Sequence, residues 1–65
     1  VRFDELKVGD YFTKEKVWNE DIYMKVYPLT DHEFFQWNAV CIAGYTRSMF
    51  YEFAPEVEVL YREII

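Results

Sequence analysis

One cysteine, one histidine, two glycines and two prolines in 65 residues leave little of the material from which small catalytic and metal-binding motifs are built. A single cysteine, Cys41, has no intrachain disulfide partner, which points to a reducing, cytoplasmic setting. Cys41 lies in the apolar run Asn38-Ala39-Val40-Cys41-Ile42 and reads as an inert core thiol. A nucleophilic role would need a base, and His32, the one imidazole, falls in a polar stretch. Gly9 and Gly44 are far apart, so no glycine loop cradles a phosphate. Structural zinc needs four ligands in paired spacing; Asp31, His32 and Glu33 are adjacent and would point in different directions. Glu56 and Glu58, two apart, would share the solvent face of a strand and guard an edge rather than line a cleft. No catalytic residue, metal or cofactor is therefore expected, and an enzyme is not expected.

Long apolar runs are also missing. No stretch approaches the roughly 20 residues a membrane-spanning helix requires. The opening Val1-Arg2-Phe3-Asp4-Glu5 is acidic where a secretory leader would be basic and then apolar, so no leader is expected. It also lacks an initial methionine, which points to a removed start residue, a tag or a longer parent. Positive charge is scarce: 7 Lys and Arg stand against 12 Asp and Glu, for a net charge of −5. Affinity for nucleic acid comes largely from cations that replace counterions on phosphates. Here Arg2, Lys14, Lys16, Lys25, Arg47 and Arg62 are scattered. Nucleic acid and anionic membranes are both disfavoured as partners.

Aromatics are what the chain has in quantity. They make up 22% of it, as two Trp, six Tyr and six Phe, within a hydrophobic content of 52%, which excludes a disordered chain. A chain this short forms one domain, 1–65, and hides only about 60% of the surface its unfolded form exposes. Phe3 and Leu6 are spaced for one helical turn, and Val8-Gly9-Asp10 reads as a tight turn. A first strand is predicted over 11–17, followed by the turn Trp18-Asn19-Glu20-Asp21. In the second strand Ile22, Met24 and Val26 alternate with Tyr23, Lys25 and Tyr27, and the aliphatic set is predicted to face the core. Pro28, without an N–H, is predicted to end that ladder, with a loop over 29–33. One long strand or a bent pair follows over 34–42, where Asn38 marks a bulge or a strand start and Phe35, Trp37, Ala39 and Cys41 share a face. A hairpin-like connection at 43–47, strands at 49–53 and 57–61, and a turn at 54–56 complete the reading. The predicted core is Phe3, Leu6, Phe12, Ile22, Met24, Val26, Val40, Phe53, Val57 and Val59. Five short, mostly antiparallel strands with tight turns predict an all-β barrel, because closure removes exposed edges.

The pattern Phe3-x-x-Leu6-x-x-Gly9-x-x-Phe12, then Ile22-Tyr23-Met24-Lys25-Val26, Asn38-Ala39-Val40, Tyr51-Glu52-Phe53 and Pro55-x-Val57-x-Val59, resembles a group of very small β-barrel proteins of tailed bacteriophages and bacteria. The resemblance implies an SH3-like barrel over most of the chain and carries no catalytic residues. The segments 41–49, with Tyr45, Arg47 and Met49, and 29–37, unusually aromatic, depart from the group's pattern. Such departures are where one protein carries its own binding surface.

A core of this size cannot cover every ring. Tyr23, Tyr27, Phe34, Trp37, Tyr45, Phe50, Tyr51 and Tyr61 compete for shelter. Each tyrosine is at home in cross-strand pairs, but exposed aromatics also mark protein interfaces. Phe34, Trp37, Tyr45, Arg47, Tyr23 and Tyr27 are the expected interface. The function this favours is a small acidic protein-interaction module, self-association included. In the phage setting that the resemblance implies, the partner is a host or virion protein. The alternative is a barrel that stacks single-stranded nucleic acid on Tyr23 and Tyr27 beside Lys25, with Arg47, or an acidic mimic of nucleic acid.

Overall fold

The computed structural model describes residues 1–14, 21–32 and 35–63, the side chains of 29–32 and 35 excepted. A 3-10 turn (Phe3–Glu5) precedes β1 (Tyr11–Lys14), β2 (Ile22–His32), β3 (Phe35–Ala43), β4 (Phe50–Tyr51) and β5 (Val59–Arg62). The strands form one antiparallel sheet in the order β4-β3-β2-β1-β5. The 3-10 turn does what the Phe3/Leu6 spacing predicts, burying both residues. Gly9 adopts φ +97° in the turn between Lys7 and Asp10, a conformation that costs glycine little. Asp10 accepts the Lys7 N–H on its carboxylate at 2.8 Å and returns its own N–H to the Lys7 carbonyl at 2.9 Å.

The predicted SH3-like barrel does not form, because the sheet stays open. Among the described residues no pairing joins β4 to β5. Closure needs two edge strands long enough to meet in register, and β4 is only two residues long. After Tyr51 the chain leaves the ladder: the Phe53 N–H goes to the Asn38 side chain at 2.8 Å instead of to a strand. The other edge is covered by the beginning of the chain. Val59 and Val1 exchange backbone bonds of 2.7 and 2.9 Å, and Arg2 bridges to Glu58. The strand predicted over 57–61 accordingly starts at Val59. Val57 is occupied elsewhere, accepting the Phe3 N–H at 2.8 Å and donating to Ala54 at 3.2 Å.

The second strand has the opposite phase from the one predicted. Tyr23 is 2% exposed, and Lys25 turns its ammonium toward the 3-10 turn, while Ile22, Met24 and Val26 are half-buried. The register explains the ambiguity. Phe50, Val40, Met24, Tyr11 and Arg62 are successive cross-strand partners on the face away from the core, so β2 has apolar side chains on both faces. Alternation alone cannot choose between them. The larger ring wins the interior because it buries more area and packs against the Phe12, Tyr51 and Phe53 rings. Val40 and Val57 are likewise outside the core, half-buried and exposed.

Pro28 does not end the ladder. Pairing runs from Lys25↔Ala39 directly to Leu29↔Trp37, so Val26, Tyr27 and Pro28 bulge opposite Asn38 and β2 continues to His32. A bulge is where a strand tolerates a residue without an N–H. The predicted 29–33 loop is therefore strand through His32. The predicted strand residues 15–17 and turn residues 18–20 lie outside the described residues.

The core is a chain of rings. Phe12, fully buried, meets Phe3 edge-on at 5.4 Å and Phe53 edge-on at 5.2 Å, and stacks on Tyr23 at 5.4 Å. Phe3 stacks on Phe53 at 5.3 Å, and Tyr51 meets Tyr23 edge-on at 5.4 Å. These centroid separations lie in the favourable range for aromatic pairs. Ala39, Cys41 and Val59 fill the remaining space. Lys14 spreads its stem over one end of this cluster, with its ammonium 5.4 to 5.9 Å from the Tyr51, Tyr23 and Phe53 ring centres.

Candidate functional site

Two surface features stand out along the β2–β3 ladder, one at its central bulge and one at its Ile22–Ala43 end. The first is an apolar groove of about 210 Å³. Its walls come from segments distant in sequence: Phe3 and Asp4 from the 3-10 turn, Val8 from the Gly9 turn, Val26 and Pro28 from the bulge, and Phe53 and Pro55 from the segment after β4. The bulge opens the ladder here and turns Val26 and Pro28 toward the groove. Polar bonds hold the walls in place. Asn38 clamps Phe53 from both sides, accepting its N–H and donating to its carbonyl, each at 2.8 Å. The Lys25 ammonium donates to the Phe3 and Leu6 carbonyls at 3.1 and 2.7 Å and lies 4.7 Å from the Phe3 ring centre. Asp4 donates its N–H to the Pro55 carbonyl at 3.0 Å. Two charged residues of opposite sign line the groove, the exposed Asp4 and the half-buried Lys25. Arg2 pairs with Asp4 at 2.9 Å and offsets part of its charge.

The second feature is the turn after β3. Asp21, 4% exposed, accepts the Tyr45 N–H at 2.8 Å and the Thr46 hydroxyl at 3.2 Å. Gly44 has φ +116°, and a side-chain carbon there would collide with the Asp21 carboxylate, so only glycine fits. Ser48 takes the left-handed φ of +78°, and its N–H closes the turn on the Cys41 carbonyl at 2.8 Å. The Tyr45 side chain, on a backbone held this firmly, is 95% exposed. Beneath the turn, the Tyr23 hydroxyl is pushed up to about 12, chiefly by burial and next by the Asp21 charge.

The structure separates the six expected interface residues. Tyr23 is in the core, which removes it from any binding surface in the folded state. Tyr27 is 74% exposed and lies between two groove-lining residues, Val26 and Pro28. Tyr45 and Arg47 are both exposed on the Asp21-bound turn. Trp37 is half-buried in β3, and Phe34 lies outside the described residues. The Tyr23-Lys25-Tyr27 stripe does not exist as a stacking platform, because the Lys25 charge is engaged by carbonyls and the Tyr23 ring is covered. Cys41 is buried, and its thiol donates to the Ala43 carbonyl at 3.2 Å. Among the described residues no group of three or more His, Cys, Asp or Glu side chains is placed to hold a metal ion. No helix among them is long and apolar enough to cross a membrane.

Sequence reasoning missed Asp21 and the groove. Asp21 read as one more turn residue because its partners are 24 and 25 positions away. Pro28, inside an otherwise clean strand pattern, was the available signal for the bulge that shapes the groove. In comparisons with known proteins, no family model, no curated protein and no solved structure matches this chain. The bacteriophage origin, the SH3-like barrel and the cytoplasmic setting thus find no support there, and the open sheet overturns the barrel directly.

Proposed function

We propose that the chain is a protein-docking module whose groove takes an apolar side chain from a basic segment of a partner. The observation that carries this is an apolar groove with an aromatic floor on a chain of net charge −5. Its volume of about 210 Å³ is below the roughly 300–1,000 Å³ typical of small-molecule sites and suits one large side chain. Burying such an anchor contributes about 1.5–3 kcal/mol. The net negative charge of the chain raises the encounter rate with a cationic segment, an effect that weakens in salt.

The test is a titration followed through the Val8 and Val26 methyl resonances. One probe is a capped pentapeptide with a central leucine flanked by arginines; the other has glutamates in their place. The arginine peptide is expected to shift both methyls, with an affinity that falls as salt is added, and the glutamate peptide is not. Equal shifts from both peptides, or none from either, would overturn the proposal.

A further inference from the structure

We infer that the corner between the Tyr51 and Phe53 rings, where the Lys14 ammonium lies, is a binding site for a quaternary ammonium group, with Lys14 as its displaceable occupant. The site does not rest on the docking reading of the groove, with which it shares only the Phe53 ring. The Lys14 nitrogen is 5.4 Å from the Tyr51 ring centre, 5.5 Å from that of Tyr23 and 5.9 Å from that of Phe53. All three lie within the roughly 6 Å over which a ring face attracts a cation. The rings stand at 87° between Tyr23 and Tyr51, 75° between Tyr23 and Phe53 and 50° between Tyr51 and Phe53, so they form walls rather than a flat stack. Tyr51 and Phe53, both half-buried, are the walls a ligand touches; Tyr23 adds its ring charge from the core behind them.

The occupant in place fits the site poorly. A primary ammonium is a compact, strongly hydrated charge with three N–H donors. Among the described residues the Lys14 ammonium makes no hydrogen bond or ion pair, and the rings are its contacts. Its nitrogen reaches solvent, so water has to satisfy the donors. A quaternary ammonium has no N–H to satisfy and presents methyl groups that pack on ring faces, which is why aromatic cages select it. Lys14 also gives up the freedom of a long stem to stay there. It can leave without breaking a polar bond.

The walls stand ready without it. Asn38 fixes the Phe53 backbone from both sides at 2.8 Å, and Tyr51 belongs to β4. Tyr23 meets both rings edge-on, at 5.4 and 5.6 Å. A ligand therefore does not have to order the rings it binds. A chain of net charge −5 also draws cations toward it. The Lys14 stem marks the approach: a side chain from the end of β1 delivers its cation to the rings. A trimethylated lysine of a partner and free choline share this chemistry.

A titration followed through the Tyr51 and Phe53 ring resonances tests this, with choline up to about 50 mM, a range that covers millimolar dissociation constants. Choline is expected to shift both rings, and its uncharged tert-butyl isostere is not. The groove methyls of Val8 and Val26 should stay where they are. Lys14→Ala is expected to tighten choline about tenfold, the factor by which an occupant present about 90% of the time masks a site. Lys14→Gln, which keeps much of the stem and loses the charge, replaces it if circular dichroism shows the alanine variant unfolded, and should also bind more tightly than the native chain. Tyr51→Leu keeps an apolar side chain without a ring and should weaken choline about tenfold. Capped glycine-lysine-glycine, with and without trimethylation, distinguishes the sources. A trimethylated peptide that binds more tightly than choline assigns the site to a partner's side chain, and the reverse order assigns it to a small molecule. Equal shifts from choline and its isostere, or from the two peptides, would overturn the proposal. So would a Lys14→Ala chain that binds choline no more tightly than the native one, and so would shifts at Val8 and Val26 in place of the rings.

Discussion

The central bulge of the β2–β3 ladder and its Ile22–Ala43 end are held by different physics. At the bulge, beside the groove, order comes from many weak contacts: the Phe3, Phe12 and Phe53 rings pack against one another, and backbone carbonyls collect the Lys25 charge. At the turn end, order comes from one buried carboxylate and one glycine that leaves room for it. The first arrangement makes a concave surface, because packed rings leave a gap where the bulge lifts β2 away. The second makes a convex one, because the bonds act on backbone and release the Tyr45 side chain outward. The same sheet thus presents a concave surface at its central bulge and a convex one at the turn after β3.

The sharpest way to break this comparison is to remove the ring that supports the groove floor. Phe12→Ala is expected to cost about 3–5 kcal/mol, against a total of roughly 3–10 kcal/mol for a chain this short. Urea denaturation should find it largely unfolded. Asp21→Ala should act on the Ile22–Ala43 end. It leaves the Tyr45 N–H and the Thr46 hydroxyl without this acceptor, at about 2–3 kcal/mol. Amide exchange should speed up at residues 45–49 while the groove methyls keep their shifts. If the groove methyls move as much as the turn, the two regions are not independent.

A pH titration probes the junction between them. The folded chain holds the Tyr23 proton more tightly than the unfolded chain does, since burial pushes its hydroxyl from 10.0 to about 12. Stability from this group is therefore complete below pH about 10 and is lost as pH climbs toward 12, about 1–3 kcal/mol in all. Alkaline melts of the native chain and Tyr23→Phe should diverge across that window, with phenolate absorbance reporting the ionisation. The smallest effect expected is that of Tyr45→Ala on stability, within about 0.5 kcal/mol, because the turn is held by the Tyr45 backbone and not by its ring. A larger loss in thermal melts would mean that the exposed ring supports the fold.

Much of the local structure was legible in the sequence. The Phe3/Leu6 spacing predicts the buried 3-10 turn, Gly9 the left-handed turn residue, and alternation puts Ala39 and Cys41 on one face, although Val40 from the other face was the residue expected in the core. Tyr45 and Arg47 are expected at a protein interface, and what the structure shows of them is that both are exposed. What could not be read was any choice between two similar apolar faces. Ile22, Met24 and Val26 make as good an inner stripe on paper as Tyr23 and its neighbours. Neither the groove nor the Asp21 clamp could be read, since each joins residues far apart in the chain.

The amino-acid sequence by itself determined that this is a small, acidic, strand-forming chain rich in aromatics, because composition and short-range spacing act within a few residues. Tertiary structure alone decided that the sheet stays open, that Tyr23 enters the core, and that Asp21 binds the turn beyond β3. Those outcomes depend on strand register and on competition between rings for a small interior, and both are settled only when distant segments meet.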